Sequence, residues 1–157
     1  MNAQTLPMPA LKHVCDLAVT ISAPVEVGVT PMGLRRMIPI TGGVISGPLI
    51  QGRVVSGGAD HQLIVADGTT AHLDARYVVE THDGVRLYVH NTALRFASKE
   101  DSLRIMQGQP VDPDAVYFRC QPHLEAPQGA YDWVNHTQFI GVGLRKPDGV
   151  FLSFFSY

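Results

Sequence analysis

Apolar and polar residues alternate along most of this chain in short runs, and glycine, proline and Asp-Gly pairs separate the runs. Alternation with a period of two is typical of β-strands that bury one face, so the pattern predicts a chain made mostly of strands. The predicted strands cover residues 11–21, 34–41, 49–55, 63–66, 72–80, 85–91, 115–121, 132–144 and 150–157.

One segment departs from this alternation, at residues 98–108 (SKEDSLRIMQG). Ser98 suits a helix N-cap and Gly108 suits a helix end, while Glu100 and Asp101 suit the first turn. One short helix among roughly ten strands predicts an all-β fold, a single antiparallel β-barrel similar to lipocalin-like or allene-oxide-cyclase-like barrels. Several strands carry polar residues at every second position and apolar residues at the positions between. This pattern predicts a barrel with an apolar outer layer and a partly polar interior that holds one small ligand.

The hairpin predicted over residues 56–77 carries the strongest candidate chemistry. Two glycines precede Asp60, His61 and Gln62 there, so the backbone can turn or pass close to a ligand. Adjacent residues of an extended chain point to opposite sides, so only one of Asp60 and His61 is expected to face a cavity. The alternative is a plain glycine bend in which Asp60 binds its own backbone.

Two strands place polar side chains on one face, at positions i and i+2. Asp74 and Arg76 form either a structural ion pair or an anchor for a substrate carboxylate or phenol, because arginine is a bidentate donor. Tyr117 and Arg119 share a face of the strand predicted over residues 115–121. We expect both pairs to point into the barrel.

Two more candidate groups follow residue 120. His123 and Glu125 are both possible metal ligands, but no third ligand has a fixed spacing, so we expect no metal. Trp133 and Asn135 share a face of the strand predicted over residues 132–144. An aromatic ring beside an amide is typical of a small-ligand pocket, and equally of a core tryptophan.

Composition narrows the possible functions. The 157 residues carry a formal net charge of −2, from 12 basic and 14 acidic side chains, which is unlike a nucleic-acid-binding protein. Cys15 and Cys120 lie far apart, in no metal or redox spacing, and no apolar run is long enough to span a membrane.

We expect residues 1–10 to be a tail, residues 11–157 to be one domain, and the compartment to be the cytoplasm.

A set of ordered motifs covers nearly the whole chain. They are GLRRMIPITGG (33–43), GPLIQGRVVSGGADHQ (47–62), LDARYVVETHDG (73–84), VDPDAVYFRCQPHLE (111–125) and YDWVN (131–135). Together they resemble the DUF3237 family, also called UPF0311, and the resemblance implies a small all-β barrel. His61 stands where the family pattern has tryptophan after GGAD. Asp60 shares the family motif, so we expect Asp60 rather than His61 to face the cavity.

The favoured hypothesis is a cofactor-independent lyase or isomerase that uses acid–base chemistry on a small oxygenated, partly aromatic molecule inside the barrel. No Walker loop, GxSxG or GxGxxG after a strand is present, so we expect no cofactor. The alternatives are a non-catalytic barrel that binds the same class of ligand, and a structural protein with a filled barrel. The C-terminal run FLSFFSY is apolar on both faces, which predicts a homo-oligomer, as a dimer.

Each candidate residue has an expected role. Asp60 or His61 would be the base, Arg76 and Arg119 the anion binders, and Tyr88 or Tyr117 the acid. The expected catalytic residues are therefore Asp60, His61, Arg76 and Tyr88. The residues expected to bind the substrate are Thr41, Gln62, Asp74, Tyr117, Arg119, Glu125, Trp133 and Asn135. The expected partner is a small molecule, with no nucleic acid and no membrane.

Overall fold

A computed structural model describes residues 6–157, so the predicted tail over residues 1–10 falls partly outside the described residues. Residues 6–11 contain no strand or helix. The strands are β1 (Lys12–Ile21), β2 (Val25–Thr30), β3 (Gly33–Ser46), β4 (Gly52–Val54), β5 (Gly58–Val65), β6 (Thr70–Thr81), β7 (Arg86–Phe96), β8 (Tyr117–Glu125), β9 (Phe139–Lys146) and β10 (Gly149–Ser156). One α-helix, α1 (Lys99–Met106), follows β7.

The strands form a closed antiparallel barrel with eight strand positions around its circumference. The order is β1-β10-β9-β8-β7-β6 and then β3, with β4 and β5 both lying between β6 and β3. Pairing of β1 with β3 closes the barrel, and β2 extends β3 as a hairpin. The prediction of a single antiparallel β-barrel with one short helix is confirmed.

Side chains alternate between the interior and the outer face of the barrel, as β7 illustrates. Leu87, Val89 and Asn91 are buried, whereas Tyr88 and His90 lie on the outer face and are partly exposed. The interior is mainly apolar, so the prediction of an apolar outer layer is wrong, and the predicted partly polar interior is found only at one end. An eight-stranded barrel is just wide enough for side chains to fill, and burial of apolar surface then favours the apolar phase inside.

One end of the interior is densely packed with apolar side chains. Phe154, Leu87, Val89 and Val79 are almost completely buried there. Gly58 lies on the neighbouring wall, where an added Cβ would stand 2.5 Å from the Tyr77 Cβ. Backbone at this glycine therefore approaches a neighbouring strand of the protein, rather than a ligand.

Helix α1 begins and ends as its sequence predicts. The Ser98 hydroxyl accepts a hydrogen bond from the Asp101 backbone N–H at 3.0 Å, which satisfies a free donor of the first turn. Ile105 is buried, and together with Met106 it faces the turn that follows β1. The C-terminal end of α1 therefore lies beside one end of the barrel. No helix in residues 6–157 is long and apolar enough to cross a membrane.

Three strand predictions differ from the structure. The strand expected over residues 49–55 is only three residues long, and the strand expected over residues 34–41 continues through Gly42 and Gly43 to Ser46. Residues 132–136 form a 3-10 turn, so the strand predicted over 132–144 is wrong in its first part. The turn is held by Asn135, whose side chain bonds the Ala126 backbone N–H and C=O at 2.9 and 3.0 Å.

The C-terminal strand has the two faces that its sequence predicts. Leu152 and Phe154 are buried inside the barrel, and Phe151 and Phe155 lie on the outer face. The Phe155 ring contacts the His13 ring with centroids 5.5 Å apart, so the chain's own side chains cover part of this outer surface. The dimer stays a prediction.

Candidate functional site

The end of the interior nearest α1 is not filled. It contains a cavity of about 50 Å³ whose walls are mostly apolar side chains of β1, β3, β6, β8 and β10. Polar side chains line the remainder, namely Asp60, Gln62, Tyr77, Asn91, Arg95 and Arg145. A few converging polar groups within an apolar cavity are the usual features of a small-molecule site.

Asp60 is the only carboxyl group among the described residues that line this cavity. Alternation along β5 directs Asp60 and Gln62 inward and leaves His61 on the exposed outer face. Asp60 Oδ2 accepts a hydrogen bond from Gln62 Nε2 at 2.7 Å, and Oδ1 accepts one from the Asp74 backbone N–H at 3.1 Å. Burial raises the pKa of Asp60 above its usual value, although these hydrogen bonds oppose the shift.

Gln62 connects Asp60 to a buried arginine. Arg36 Nε donates to Gln62 Oε1 at 2.9 Å, so the amide bridges the guanidinium and the carboxylate. Arg36 also forms an ion pair with the half-exposed Glu26, at 3.9 Å. Burial lowers the pKa of Arg36, and Glu26 and Asp60 partly offset the effect. Asp60 is therefore held in a fixed orientation without a direct ion pair.

Arg95 is the most unusual residue of the cavity, because it is only 6% exposed and no carboxylate of the described residues lies within ion-pair distance, although the charge of Asp60 acts on it from further away. Within residues 6–157, its guanidinium makes no hydrogen bond and no ion pair with another side chain or carbonyl. Burial, together with the charge of Arg36, lowers the pKa of Arg95 to about 10. At neutral pH the buried side chain still carries its charge, which is costly without a partner.

Arg145 is the third arginine near the cavity. Its Nη1 atom donates to the backbone oxygens of Lys146 and Gly149, the latter at 2.9 Å. Burial lowers the pKa of Arg145, and the charge of Arg36 lowers it further. The three guanidinium groups are thus close enough to influence one another, and Asp60 and Asp148 partly offset their effect on Arg145.

Two more buried polar atoms in the described part of the chain lack a hydrogen-bond partner, Tyr77 Oη and Asn91 Oδ1. Both residues line the same cavity as Arg95. Burial raises the pKa of the Tyr77 phenol, so this group is neutral and able to donate a proton in a hydrogen bond. Buried polar groups normally have partners, so unsatisfied groups around one cavity point to a ligand or ordered water there.

Several predicted site residues lie elsewhere, on the outer face of the barrel. Asp74 Oδ1 accepts from Arg76 Nε at 3.3 Å and lies 2.9 Å from His90 Nε2, and the Arg76 side chain is 57% exposed. The expectation that Asp74 and Arg76 point inward is wrong, because the apolar phase of β6 takes the interior. Tyr88 and Thr41 are also on the outer surface.

The candidates of β8 and of the following segment do not reach the cavity either. Arg119 stacks on the exposed Tyr117 ring at 4.9 Å, and Glu125 lies 3.6 Å from His123, all of them on the outer face. The expected inward direction of Tyr117 and Arg119 is therefore wrong. Residues 6–157 contain no group of three His, Cys, Asp or Glu side chains that could hold a metal ion.

Trp133 and Asn135 belong to the 3-10 turn, so they do not share a strand face. Trp133 packs against Phe139, with ring centroids 6.0 Å apart, at the edge of the core. Asn135 is exposed and binds the backbone of Ala126. Among the expected site residues, the structure places only Asp60 and Gln62 at the cavity.

Sequence reasoning missed the three arginines, Asn91 and the hydroxyl group of Tyr77. A signal was present for two of the arginines, because Arg95 is in phase with Leu87 and Val89, and Arg36 with Ile38. A charged residue on the apolar phase of a strand points into the core, where it needs a partner or a function.

Known proteins with the same architecture include members of an uncharacterised family. A structure from Rhodopseudomonas palustris, described as a conserved protein of unknown function, superposes with a TM-score of 0.87 at 34% identity, covering 95% of this chain and 99% of the other. A β-barrel-like protein from Acinetobacter baumannii gives 0.84 at 33% identity, with coverages of 98% and 99%. An enzyme from Penicillium herquei gives 0.71 at 20% identity, with 98% of both chains covered, which shows a shared fold alone.

The sequence comparisons agree with the fold. A UPF0311 protein of Rhodopseudomonas palustris is 37% identical over 139 residues, which are 88% of this chain and 90% of the relative. The family model described as "Protein of unknown function (DUF3237)" matches residues 9–157. A match over nearly the whole length, in a chain that also has the barrel of these relatives, means that the chain belongs to the DUF3237 family.

Proposed function

We propose that this protein is a cofactor-independent lyase or isomerase that moves a proton on a small carbonyl compound bound at the cavity end of the barrel. The observation that carries the proposal is Asp60, a buried carboxyl group fixed at the wall of a cavity that contains unpartnered donors. A raised pKa brings a carboxylate closer to the pH at which it both accepts and returns a proton.

Asp60 retains the capacity to act as a base despite its two hydrogen bonds. Each carboxylate oxygen has two lone pairs and accepts one hydrogen bond here, from Gln62 or from the Asp74 N–H. One lone pair on each oxygen therefore remains for a substrate proton. The two bonds hold the carboxyl plane in place, which favours transfer in a single geometry.

The cationic and phenolic groups supply the complementary part of the chemistry. Removal of a proton from the carbon next to a carbonyl leaves an enolate, whose oxygen gains negative charge. Arg95 and Tyr77 both line the cavity, and the guanidinium and the phenol are donors that would stabilise that oxygen. Asp60 then returns the proton to a different carbon in an isomerase, or the enolate expels a β-leaving group in a lyase.

Hydrogen–deuterium exchange tests this first step without knowledge of the product. Small 2-oxo acids and 3-oxo acids are incubated with the protein in D₂O, and loss of the C–H signal next to the carbonyl is followed by NMR. Asp60→Asn should slow the exchange by about 10²–10⁴-fold, because it removes the base. The melting temperature is recorded in parallel and should fall only modestly, since asparagine keeps the shape of Asp60 but loses one of its two accepted hydrogen bonds.

Asp16→Asn is the matched control, because Asp16 is a carboxylate on the outer face of β1 and hydrogen-bonds Ser153 and His13. It should exchange substrate protons at the wild-type rate. Equal rates for Asp60→Asn and the wild type would contradict the proposal. Saturable binding without exchange would instead favour the non-catalytic binding barrel.

A further inference from the structure

We infer that Arg95, together with Arg36 and Arg145, forms an anion subsite that binds the carboxylate of a small organic acid, whose apolar body lies in the cleft next to α1. The inference rests on the proposed function, because both use one cavity, and it names the class of substrate. It is carried by Arg95, a guanidinium that is 94% buried, lines the cavity, and has no acceptor within the described residues.

The three arginines at this end of the barrel differ in their partners. Arg36 has Glu26 at 3.9 Å and the Gln62 amide oxygen at 2.9 Å, and Arg145 has backbone carbonyls. The hydrogen bonds of Asp60 go to Gln62 and to a backbone N–H, so the charge of Asp60 acts on Arg95 without a direct contact. Arg95 has no hydrogen bond and no close ion pair in residues 6–157, and a bound carboxylate would satisfy its N–H groups.

The size of the cavity limits what can enter. A volume of about 50 Å³ is room for roughly three to five water molecules. A planar carboxylate and the carbons next to it fit this space, and a guanidinium binds a carboxylate through two parallel hydrogen bonds. That position also brings the carbon next to the acid or carbonyl group towards Asp60, as the proposed function requires.

The remainder of the ligand has a place outside the cavity. A surface cleft of about 290 Å³ shares Ile21, Ile38 and Arg145 with the cavity, so the two spaces adjoin. Ile105 and Met106 of α1 form another wall of the cleft. A short aliphatic or aromatic body in this cleft would contact these isoleucines and Met106 while its carboxylate reaches Arg95.

A pair of probes with the same shape and different charge tests the subsite. Hexanoate and hexanamide are titrated into the protein by calorimetry, and the melting temperature is recorded with each. Hexanoate should bind saturably and raise the melting temperature, and hexanamide should bind at least about tenfold more weakly. Arg95→Met should lose at least about tenfold in hexanoate affinity and remain folded, because methionine fills an apolar position.

Arg86→Met is the control variant, because Arg86 lies on the same strand but on the outer face, paired with Glu80 at 3.0 Å. It should bind hexanoate like the wild type. Equal binding of amide and carboxylate, undiminished binding by Arg95→Met, or no saturable binding of hexanoate would overturn the inference. Inorganic phosphate that binds more tightly than hexanoate would also overturn it, since the subsite would then be shaped for a tetrahedral anion.

The binding and exchange experiments can contradict the subsite and the proposed enzyme independently of each other. Hexanoate binding that depends on Arg95, without proton exchange on any 2-oxo or 3-oxo acid, would sustain the subsite and contradict the proposed enzyme. Exchange that depends on Asp60 and is unaffected in Arg95→Met would sustain the enzyme and contradict the subsite.

Discussion

The two ends of the barrel interior differ although the same strands build both. At one end of β7, Leu87 and Val89 are packed in an apolar core, and at the other end Asn91 and Arg95 face a cavity. The packed end buries apolar surface and stabilises the fold, whereas the cavity end holds the charge of Arg95 without a direct contact to a carboxylate in residues 6–157. The apolar packing and the buried polar groups are therefore separated along the barrel axis, and the apolar end offsets the cost of the polar one.

The largest expected effect of a substitution is on stability at the packed end. Phe154 is 1% exposed, so Phe154→Ala should lower the free energy of unfolding by about 3–5 kcal/mol through lost burial and a new void. Val150→Ala, at the wall of the existing cavity, should cost only about 1–2 kcal/mol because fewer methyl groups leave the interior. Urea denaturation of both variants measures the difference, and equal losses would show that the two ends are equally packed.

The next largest effect is a gain of stability, at the cavity end of the barrel. Arg95→Met removes a buried charge that has no hydrogen bond or close ion pair in residues 6–157, so in the absence of ligand it should raise the free energy of unfolding, by about 1–4 kcal/mol. Thermal and urea unfolding in a buffer without carboxylates measure the change. A clear loss of stability would mean that Arg95 has a stabilising partner in solution.

A smaller effect is expected in the pH dependence of stability. The folded-state pKa of Asp60 is raised, so its favourable contribution is fully present below the unfolded value of 3.8 and is lost as the pH rises through the folded value. The stability of the wild type relative to Asp60→Asn should therefore fall as the pH rises across that window. Urea unfolding at a series of pH values checks this, and a difference that is flat with pH would place Asp60 in contact with solvent.

The smallest effect is expected on the outer face. Arg76→Gln and Arg119→Gln remove exposed guanidinium groups, one paired with Asp74 and the other stacked on Tyr117. Exposed pairs add little to stability, so neither variant should change the melting temperature or the rate of proton exchange. A marked fall in exchange for either variant would move the catalytic site from the cavity to the outer face.

Local features of the fold were predictable from the sequence, because they depend on neighbouring residues. The Ser98 cap, the Asp67-Gly68 and Asp83-Gly84 turns, and most strands follow from short-range hydrogen bonding and alternation. The segment over residues 132–136 did not follow, since its 3-10 turn depends on the bonds between Asn135 and the distant backbone of Ala126.

The direction of the polar side chains depends on which of the two faces of each strand is more apolar, because that face is buried inside the barrel. In β6, Ala71, Leu73 and Tyr77 share one phase, and burial of that phase directs Asp74 and Arg76 to the outer surface. Asp60 and Gln62 point inward because they share the phase of Ile64 in β5. This outcome is present in the alternation itself, once the more apolar phase of each strand is assigned to the interior.

The sequence by itself determined the all-β class, the family, the helix and the inward phase of Asp60. Only the tertiary structure decided that Arg95 and Arg145, on β7 and β9, line one cavity, and that Arg36 on β3 lies close enough to influence both. These residues are far apart along the chain, and no local pattern relates them. Barrel closure through the pairing of β1 with β3 brings their strands around a shared interior, and the electrostatics of that interior arise from the closed sheet.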